Sequence, residues 1–539
     1  MKKPLPIGVD NFEKIITNGY YFVDKTWFIK ELLDNRSEVN LFTRPRRFSK
    51  TLTLSMLRYF FEKGEQDNSH LFRGLKIMEA GEKYTAQLGK YPVINLYLRP
   101  AKQPNFELAR AMLVRCIRDE YNRHRYVLSG NCLSKDEQHR YRLINSYEIL
   151  DNSYYCKSLL FLSQCLYRYH GQKVIILIDE YDTPLENAFF EEKDGGENKD
   201  FYKQMVSFIQ PLLGSALEAN KALEFAVIVG CLRINRESIF TGLNNLDVNS
   251  VLTSKYNEPF GLTQPEVSSM LDYYDLQAKE DLVKKWYDGY KFGENEVYNP
   301  WSVVNFVSAL VARSSVFPKP YWINASSFSI VILKELIKRA DNIVKQEIEE
   351  LIAGRTIEKP VHEEINYEDI YQPQGNLWNF LLLIGYLKKT GERLLEGDIR
   401  MTTMAIPNIE VHYIFKTYIR DWFEQKLAQQ DLTSLHQSLL DGDVETLTNE
   451  LNQNLIESIN YYDTVEAFYH GLLLGLLRSM SDAIVISNRE SGQGRLDILI
   501  KIPGAKEDRA IVLELKVAKD IYNLESSCNQ ALKQVAERD

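Results

Sequence analysis

The chain has 539 residues, 45% hydrophobic and 26% charged, a balance typical of folded globular proteins, and its length suggests roughly three or four domains. A net charge of −9 excludes a protein whose entire surface binds nucleic acid, so such binding would need a local basic groove or a partner. No segment approaches the ~18–20 apolar residues of a membrane-spanning helix, and six cysteines without CxxC spacing argue against zinc or disulfides, which predicts a protein of the reducing cytoplasm without membrane contact.

The first half of the chain predicts a parallel sheet with crossover helices, because residues 1–255 alternate short apolar runs with amphipathic stretches. Runs this rich in Val, Ile, Leu and Phe are typical of strands covered on both faces. The predicted strands are Val39–Thr43, Tyr91–Tyr97, Lys173–Ile178 and Glu224–Val229. The predicted helices are Lys50–Lys63, Phe106–Arg123 and Tyr147–Tyr169.

Beyond residue 260 the pattern becomes mainly helical. Thr263-Gln-Pro-Glu266 is typical of a helix start, and helical segments are predicted to about Ala340. An apolar helix over Asn376–Leu387 and a hairpin over Leu394–Ala405 follow. The remaining predicted elements are helices Ile409–Gln429, Asp441–Ser458, Thr464–Met480 and Leu524–Val535, and strands Ala483–Asn488, Arg495–Lys501 and Ala510–Lys516.

The segment Arg44-Pro-Arg-Arg-Phe-Ser-Lys-Thr51 lies between an apolar strand and a helix. In a P-loop, backbone N–H groups surround the phosphates, a lysine reaches the terminal phosphates and a hydroxyl binds magnesium. Lys50 and Thr51 stand at the positions of those two groups, whereas Arg44 and Ser49 replace the usual glycines. Taken alone, this segment is also explained as a basic helix start.

A pair of acids strengthens the phosphate-binding interpretation. The apolar strand that begins at Val174 ends in Asp179 and Glu180. In P-loop ATPases the first such acid organises magnesium and the next orients the attacking water. Acids after a strand are common, but this pair after a lysine–threonine pair in one β/α region is not. We therefore predict a site for ATP and Mg²⁺.

Further nucleotide-binding candidates are three arginines and Ser49. Arg46 and Arg47 are candidates for neutralising phosphate charge, and Arg233, just after the Glu224–Val229 strand, is a candidate sensor of the terminal phosphate. A solvated loop arginine is the alternative in each case. The Cβ of Ser49 stands where glycine normally allows the backbone to approach the phosphate, so this residue bears on whether ATP is hydrolysed.

The second constellation lies near the C-terminus. Asp497 lies near the start of the predicted strand Arg495–Lys501, and Ile511-Val-Leu-Glu514-Leu-Lys516 forms the next strand. The period of two places Glu514 and Lys516 on one strand face, and an acid inside an otherwise apolar strand requires a reason to be there. Carboxylates that converge with a lysine predict a Mg²⁺ or Mn²⁺ site for phosphodiester hydrolysis. Glu466 is a candidate additional metal ligand, or else an acid favoured at a helix N-terminus.

With these two constellations, the chain resembles the bacterial AAA-ATPase-like proteins that carry a C-terminal PD-(D/E)XK nuclease-superfamily domain. The resemblance covers nearly the full length, and its motifs occur in one order. They are Ile7-Gly-Val-Asp-Asn-Phe12, Tyr21-Phe-Val-Asp-Lys-Thr26, the Arg44 loop, Asp179-Glu-Tyr-Asp-Thr-Pro184, Gly242-Leu-Asn-Asn245, Trp286-Tyr-Asp-Gly-Tyr290, Tyr298-Asn-Pro-Trp-Ser302, Tyr321-Trp-Ile-Asn324, Ser487-Asn-Arg-Glu-Ser-Gly492, Gly494-Arg-Leu-Asp497 and Glu514-Leu-Lys516.

The resemblance implies an α/β protein of three parts. These are a P-loop NTPase domain with a parallel sheet and flanking helices over 1–255, a helical or winged-helix-like middle over 256–405, and a restriction-endonuclease-like α/β domain over 406–539. It also implies Lys50, Thr51 and Asp179 for the nucleotide, and Asp497, Glu514 and Lys516 for the nuclease. The family loop has Gly where this chain has Ser49, so the resemblance leaves ATP hydrolysis open.

Two functional hypotheses of different classes follow. The first is an ATP-regulated, metal-dependent nuclease that acts on DNA, in defence against foreign elements. The second is a nucleotide-dependent switch or scaffold whose nuclease-like domain does not cleave and only binds nucleic acid or a protein; ATP-dependent formation of homo-oligomers would be its signature. Ser49 favours the second hypothesis, as does the acidic C-terminal part, where residues 401–539 hold 13 Lys+Arg against 21 Asp+Glu.

Overall fold

The computed structural model describes residues 2–536 except for 65–66, 149, 194–198, 234–238, 241, 314, 323–341, 363–374, 396–398, 428–431, 459–472, 475, 478–479, 481–482, 492–493, 504–508, 517 and 519–520. The chain forms two compact units. The first comprises Met1–Ile330 and Thr356–Ile414, and the second comprises Val331–Arg355 and Phe415–Asp539. Within the described ranges, every helix is too short or too polar to span a bilayer.

A five-stranded, wholly parallel sheet is the centre of the first unit, in the order β2-β3-β4-β1-β5. The predicted parallel sheet is confirmed, and β5 is a strand that the pattern did not reveal because it is short and contains Asp247 and Asn249. Strands β1 and β3 are buried at every residue, as expected for a sheet with helices on both faces. The strands are β1 (Val39–Thr43), β2 (Val93–Tyr97), β3 (Val174–Asp179), β4 (Leu223–Gly230) and β5 (Leu246–Asn249).

Helices surround this sheet and continue beyond it. The bounds of the first thirteen are α1 (Phe12–Thr17), α2 (Trp27–Asn35), α3 (Lys50–Phe61), α4 (Glu82–Thr85), α5 (Phe106–Arg123), α6 (Lys135–Ile144), α7 (Asn152–Cys156), α8 (Ser158–His170), α9 (Thr183–Lys193), α10 (Phe201–Leu217), α11 (Gln264–Tyr273), α12 (Glu280–Tyr287) and α13 (Pro300–Ala312). Short 3-10 turns lie at Asn68–Phe72, Lys76–Glu79, Arg99–Ala101, Arg125–Ser129, Gln277–Lys279 and Ile521–Asn523.

Two small antiparallel sheets complete the first unit. One is the ribbon β6 (Tyr290–Phe292) with β7 (Asn295–Val297). The other has the order β8-β10-β9 and contains β8 (Ile357–Pro360), β9 (Lys388–Leu395) and β10 (Ile399–Ala405). A helix over Gly375–Leu383 precedes β9. The predicted helix to Leu387 is therefore too long, because Gly385 adopts φ +87 and breaks it, as glycine commonly does after a helix.

The second unit combines helices with the antiparallel sheet β11-β12-β13. Leucines of its helices pack with Ile498 and Ile500 of β12 into one core. The strands are β11 (Ile484–Ser491), β12 (Gly494–Ile502) and β13 (Arg509–Leu513). The helices are Asn342–Ile352, Thr433–Asp441, Val444–Ser458 and Leu524–Ala536, and the helix Ile409–Leu427 leads into this unit. Most of the predicted helix Thr464–Met480 lies outside the described residues.

Three further predicted boundaries are wrong for identifiable reasons. The Tyr147–Tyr169 helix begins only at Asn152, which Asp151 caps, and it is interrupted at Lys157. The helix predicted from Asp441 begins at Val444, because Gly442 ends one helix in the left-handed conformation and the Asp443 side chain accepts hydrogen bonds at the start of the next.

The third wrong boundary bears on the predicted nuclease site. Strand β13 ends at Leu513, so Glu514 and Lys516 follow the strand instead of lying inside it. The Leu515 N–H donates to the Asp497 side chain over 2.9 Å instead of to a backbone carbonyl. A side-chain acceptor thus replaces the next rung of the ladder.

Candidate functional sites

The carboxyl ends of β1, β3 and β4 meet at one edge of the parallel sheet. Thr43 at the end of β1 pairs with Gly230, and Asp179 at the end of β3 pairs with Val229. Because β4 lies between β1 and β3, Cys231 after β4 is placed between the Arg44–Ser49 loop and Asp179. Open parallel sheets bind ligands at this edge.

The Arg44–Ser49 loop joins β1 to α3, and Lys50 is the first residue of that helix. Lys50 is 8% exposed. Its Nζ donates to the carbonyl oxygens of Arg44 at 2.8 Å and Pro45 at 2.9 Å, and lies 3.6 Å from Cys231 Sγ. The ammonium therefore bridges two carbonyls of its own loop.

Arg44 has a structural place in this loop and does not face a ligand. Its guanidinium is fully buried and donates to backbone carbonyls of Thr43, Asn249 and Tyr256. The ring of Phe292 lies 5.1 Å from its central carbon. The residue at the first glycine position thus ties the end of β1 to β5 and to the chain beyond it.

Asp179 and Thr51 form a pair suited to magnesium. The Thr51 hydroxyl lies near enough to the Asp179 carboxylate to lower the pKa of that acid, and Asp179 is 4% exposed. Within the described part of the chain, its Oδ1 has no hydrogen-bond partner. Such an atom is costly to bury unless something else occupies its lone pairs. A hydroxyl and a carboxylate oxygen fit the hard-oxygen coordination of Mg²⁺ beside a nucleotide phosphate.

The acids after β3 have different surroundings. Glu180 adopts φ +52, lines the cavity described below and accepts a hydrogen bond from Thr183 Oγ1 at 3.1 Å. Asp182 is buried and accepts hydrogen bonds from the backbone N–H groups of Cys231 at 2.6 Å and Leu232 at 3.0 Å. Asp182, which sequence reasoning did not single out, thereby fixes the backbone after β4 beside Lys50.

The two loop arginines are both held in place. Arg46 forms an ion pair with Glu186 of α9, whose side chain is 4% exposed. The guanidinium of Arg47 lies over the ring of Trp301, 4.1 Å from its centroid. An arginine on an aromatic face is a favourable cation–π arrangement. Both positive charges stay at the loop and keep a fixed orientation.

A cavity of about 360 Å³ lies against this loop. The loop lines it together with the N-terminal segment from Leu5 to Lys25 and parts of α11 and α13. Its size suits a small ligand, and apolar groups such as Val23, Leu262 and Met270 share its wall with charged ones. Its basic lining residues are Lys25, Arg46, Arg47, Lys50, Arg99 and Lys102, and its acidic ones are Asp10 and Glu180.

The cavity residues differ in part from those that the sequence suggested. Cys231 lines the cavity, whereas Arg233, the predicted phosphate sensor, is not among its described lining residues; Arg233 lies half-buried three positions beyond β4. Arg99 and Lys102 were missed, although both follow β2 and the carboxyl-edge rule could have indicated them. Lys25 was missed because nothing in its local pattern connects it to the loop.

Magnesium binding here should depend on pH. Burial raises the pKa of the Asp179 carboxyl to about 7, and the Thr51 hydrogen bond offsets this only in part. Mg²⁺ binds the ionised carboxylate. Below that pKa the carboxyl carries a proton, which the metal must displace in order to bind. We expect the affinity for MgADP to be about tenfold weaker at pH 6 than at pH 8, measured by calorimetry.

Asp179→Asn supplies the control for this pH dependence. The phosphate groups of ADP titrate in both proteins, so their contribution cancels in the comparison. The variant should bind MgADP weakly at both pH values and lose the difference between them. An equally steep pH profile in Asp179→Asn would show that another group carries it.

The second site lies at the end of the β12–β13 pair. In its antiparallel register Ile498 faces Leu513, and one further step sets Asp497 opposite Glu514. Directly opposed residues project to the same face of a sheet, and the hydrogen bond from Leu515 N to Asp497 Oδ2 closes this end of the pair. Ile498 and Leu513 point to the core, so Asp497 and Glu514 lie on the other face.

The acid and the lysine of the C-terminal motif are adjacent. Lys516 Nζ lies 3.4 Å from Glu514 Oε1, with side chains 24% and 2% exposed. The structure therefore brings Asp497, Glu514 and Lys516 to one place, although the strand ends earlier than predicted. Sequence spacing indicated their proximity, but not the backbone hydrogen bond that positions Asp497.

The donor set at this second site fits Mg²⁺ or Mn²⁺. Asp497 and Glu514 supply carboxylate oxygens, and Mg²⁺ commonly uses one or two carboxylates with water and substrate phosphate as its other ligands. Among the described residues there is no group of three or more His, Cys, Asp or Glu that could hold a metal. The additional predicted ligand, Glu466, lies outside the described residues.

Two family models match the parts of the chain that contain these two sites. Residues 6–240 match the family model of a predicted AAA-ATPase, and residues 464–539 match that of the PD-(D/E)XK nuclease superfamily. The chain thus has an AAA-ATPase-like domain and a C-terminal PD-(D/E)XK nuclease-superfamily domain, which confirms the predicted fold class.

One curated relative and the solved structures complete the comparison. An uncharacterized protein in the vnfD 5′ region of Azotobacter chroococcum mcd 1 is 26% identical over 337 residues, which cover 61% of this chain and 56% of that protein. The chain therefore spans little more than half of that relative's length. No solved structure matches this chain.

Proposed function

We propose that this chain is a metal-dependent nuclease that cleaves DNA under the control of ATP, in defence against foreign DNA. The observation that carries the proposal is the meeting of Asp497, Glu514 and Lys516 beyond β13, joined by the Leu515–Asp497 hydrogen bond and the Glu514–Lys516 contact. The sequence motif suggests the same residue set, and all three residues lie within 464–539, the range that matches the nuclease superfamily model.

Each of these three side chains has a distinct role in the proposal. Asp497 and Glu514 would hold Mg²⁺ or Mn²⁺, which supplies charge stabilisation at the scissile phosphate and lowers the pKa of bound water. Lys516 would orient the attacking water and neutralise charge on the phosphate. The ammonium is well placed for both, because the buried Glu514 carboxylate restricts its movement.

In the N-terminal domain, ATP would occupy the cavity at the loop. Lys50 would leave the carbonyls of Arg44 and Pro45 for the terminal phosphates, and Thr51 and Asp179 would hold Mg²⁺. Glu180 lines the same cavity and would orient water for hydrolysis. Arg46 and Arg47 would neutralise phosphate charge from the positions that Glu186 and Trp301 give them.

The chain also offers a route by which nucleotide binding would regulate cleavage. The Trp322 indole donates to the loop carbonyl of Arg46 at 3.2 Å, and the Trp322 backbone donates to Glu410 at 2.9 Å. The chain enters the second unit at Phe415, five residues after Glu410. A change in the loop would therefore reach Glu410 through two hydrogen bonds.

The proposal is tested by incubating the purified protein with supercoiled, linear and single-stranded DNA. Each substrate is combined with Mg²⁺, Mn²⁺ or EDTA, with and without ATP. We expect cleavage that requires the metal and changes with ATP. Metal-independent cleavage would contradict the assigned chemistry, because a contaminating nuclease would explain it better.

Absence of cleavage with retained ATP binding would favour the nucleotide-dependent switch or scaffold. Ser49 at the loop and the acidic balance of residues 401–539 are the observations that favour that alternative. Its signature would be ATP-dependent self-association, measured by light scattering. The defence role is tested separately by phage plating on cells that express the wild-type protein or Asp497→Asn, with fewer plaques expected on the wild type.

A further inference from the structure

Four residues of the segments after β5 contact the Arg44–Ser49 loop. Three belong to aromatic motifs whose role the sequence left unexplained, and the fourth is a glycine after the Gly375–Leu383 helix. They meet four consecutive loop residues, 45 to 48. We call them the collar: Tyr290, Trp301, Trp322 and Gly385.

The first half of the collar holds Pro45 and Arg46. A Cβ on Gly385 would lie 2.9 Å from Pro45 Cγ, so only glycine permits this approach of the backbone to the proline ring. The Trp322 Nε1 donates to the carbonyl of Arg46 at 3.2 Å. Its ring packs at 4.8 Å from that of Tyr386, which fixes the direction of the N–H.

The second half of the collar holds Arg47 and Phe48. The Arg47 guanidinium stacks on Trp301, 4.1 Å from the ring centroid. The ring of Phe48 meets that of Tyr290 edge to face at 5.0 Å. Every loop residue between Arg44 and Ser49 thus has a partner in the collar.

The collar itself is anchored by a buried carboxylate. Glu410 is fully buried and accepts hydrogen bonds from the Trp322 backbone N–H at 2.9 Å and from the Ser302 hydroxyl at 2.9 and 2.8 Å. The Trp301 indole donates to the Tyr321 carbonyl at 3.3 Å. The two tryptophans are therefore held independently of the loop.

The loop needs such support because its backbone is unfavourable for its residues. Arg47 has φ +67 and Ser49 has φ +56, in the left-handed region that suits glycine and costs energy for residues with a Cβ. Lys50 now braces the loop through the carbonyls of Arg44 and Pro45. A phosphate that attracts this ammonium would remove the brace and leave the collar to hold the shape.

We propose that the collar is a positioning device that keeps the non-glycine phosphate loop in its left-handed, phosphate-binding conformation. The inference rests on the proposed nucleotide site, because it concerns the shape of that site. Without the collar, Arg47 and Ser49 relax to ordinary φ values. The fraction of binding-competent loops then falls, and the apparent affinity falls in proportion.

The test measures MgADP affinity of the full chain by calorimetry in four proteins: wild type, Trp322→Phe, Ser49→Gly and the double variant. Phenylalanine keeps ring packing but cannot donate to Arg46. We expect Kd to rise about tenfold in Trp322→Phe, the scale of one lost hydrogen bond. Ser49→Gly removes the left-handed penalty at residue 49 and leaves the one at Arg47, so the double variant should regain part of the lost affinity.

A matched control and a second variant make the result specific. Trp286→Phe makes the same substitution in the same unit, at a tryptophan outside the collar, and should leave Kd unchanged. If Trp322→Phe fails to fold in a thermal melt, Trp301→Leu repeats the test through Arg47. Rescue by Ser49→Gly again separates loop shape from a lost ligand contact, which glycine would not restore.

The outcomes separate the collar from the nucleotide site. If the wild type does not bind MgADP, the proposed site itself is wrong. If the wild type binds and Trp322→Phe binds equally well, the collar inference alone is wrong. Weakened binding in Trp322→Phe that Ser49→Gly fails to restore would also overturn it, because the loop conformation would then not be what the collar controls.

Discussion

Replacing Asp497 by Asn should reduce metal-dependent DNA cleavage about 1,000-fold or more, which corresponds to ~4 kcal/mol of lost transition-state stabilisation. Asparagine retains an oxygen that can accept the 2.9 Å hydrogen bond from Leu515 N. It loses the negative charge that a divalent cation requires. The fold at the end of β13 should therefore persist while the metal site does not. Nicking of supercoiled DNA in Mg²⁺ measures the rate.

A matched control removes charge without touching the site. Glu445→Gln takes one negative charge from an exposed position on the Val444–Ser458 helix of the same unit, and it should cleave like the wild type. Thermal unfolding of both variants should be close to that of the wild type. Full activity in Asp497→Asn would contradict the assignment of this residue as a metal ligand, whatever its effect on stability.

The sequence predicted those features that depend on interactions between residues close together in the chain. The β1 run Val39–Thr43 and the helix Phe106–Arg123 have the predicted bounds, because apolar pattern and an asparagine cap define them within a few residues. The parallel sheet then dictates that Lys50 and Asp179 share an edge, since strand ends in such a sheet coincide. The proximity of Lys50 and Asp179 was thus predicted from the topology of the sheet and not from any local sequence pattern.

The rest could not be predicted because it joins distant parts of the chain. The burial of Arg44 depends on carbonyls of residues more than 200 positions away, and an arginine in a loop ordinarily suggests solvent or phosphate. The collar contacts are of the same kind, since Trp322 reaches Arg46 across 276 positions. The aromatic motifs were visible in the sequence, but nothing in it indicated that they contact the Arg44–Ser49 loop.

Lys50→Met should weaken nucleotide binding by roughly 10- to 100-fold, the loss of a charge-assisted hydrogen bond worth ~1.5–3 kcal/mol. Methionine fills the space of the buried stem, so packing around α3 should persist. The carbonyls of Arg44 and Pro45 lose the donor that now binds them, and we expect some loss of stability in the absence of nucleotide. Binding must therefore be measured separately from stability.

Thermal melts with and without MgADP make that separation. A ligand at 100 times its Kd stabilises the native state by ~2.7 kcal/mol, and at its Kd by only ~0.4 kcal/mol. At a concentration that saturates the wild type, a 100-fold weaker variant should lose most of the shift in Tm, whatever its starting Tm. Lys203→Met, at an exposed position of α10, should retain the full shift.

The same variant shows whether the two sites communicate. If ATP acts through the loop, Lys50→Met should cleave DNA at the ATP-free rate of the wild type and stop responding to ATP, because its nuclease residues are untouched. An unchanged ATP response would mean that nucleotide acts elsewhere, and the cavity at the loop would no longer explain regulation. Equal MgADP affinity in Lys50→Met and wild type would contradict the proposal that the loop binds phosphate at all.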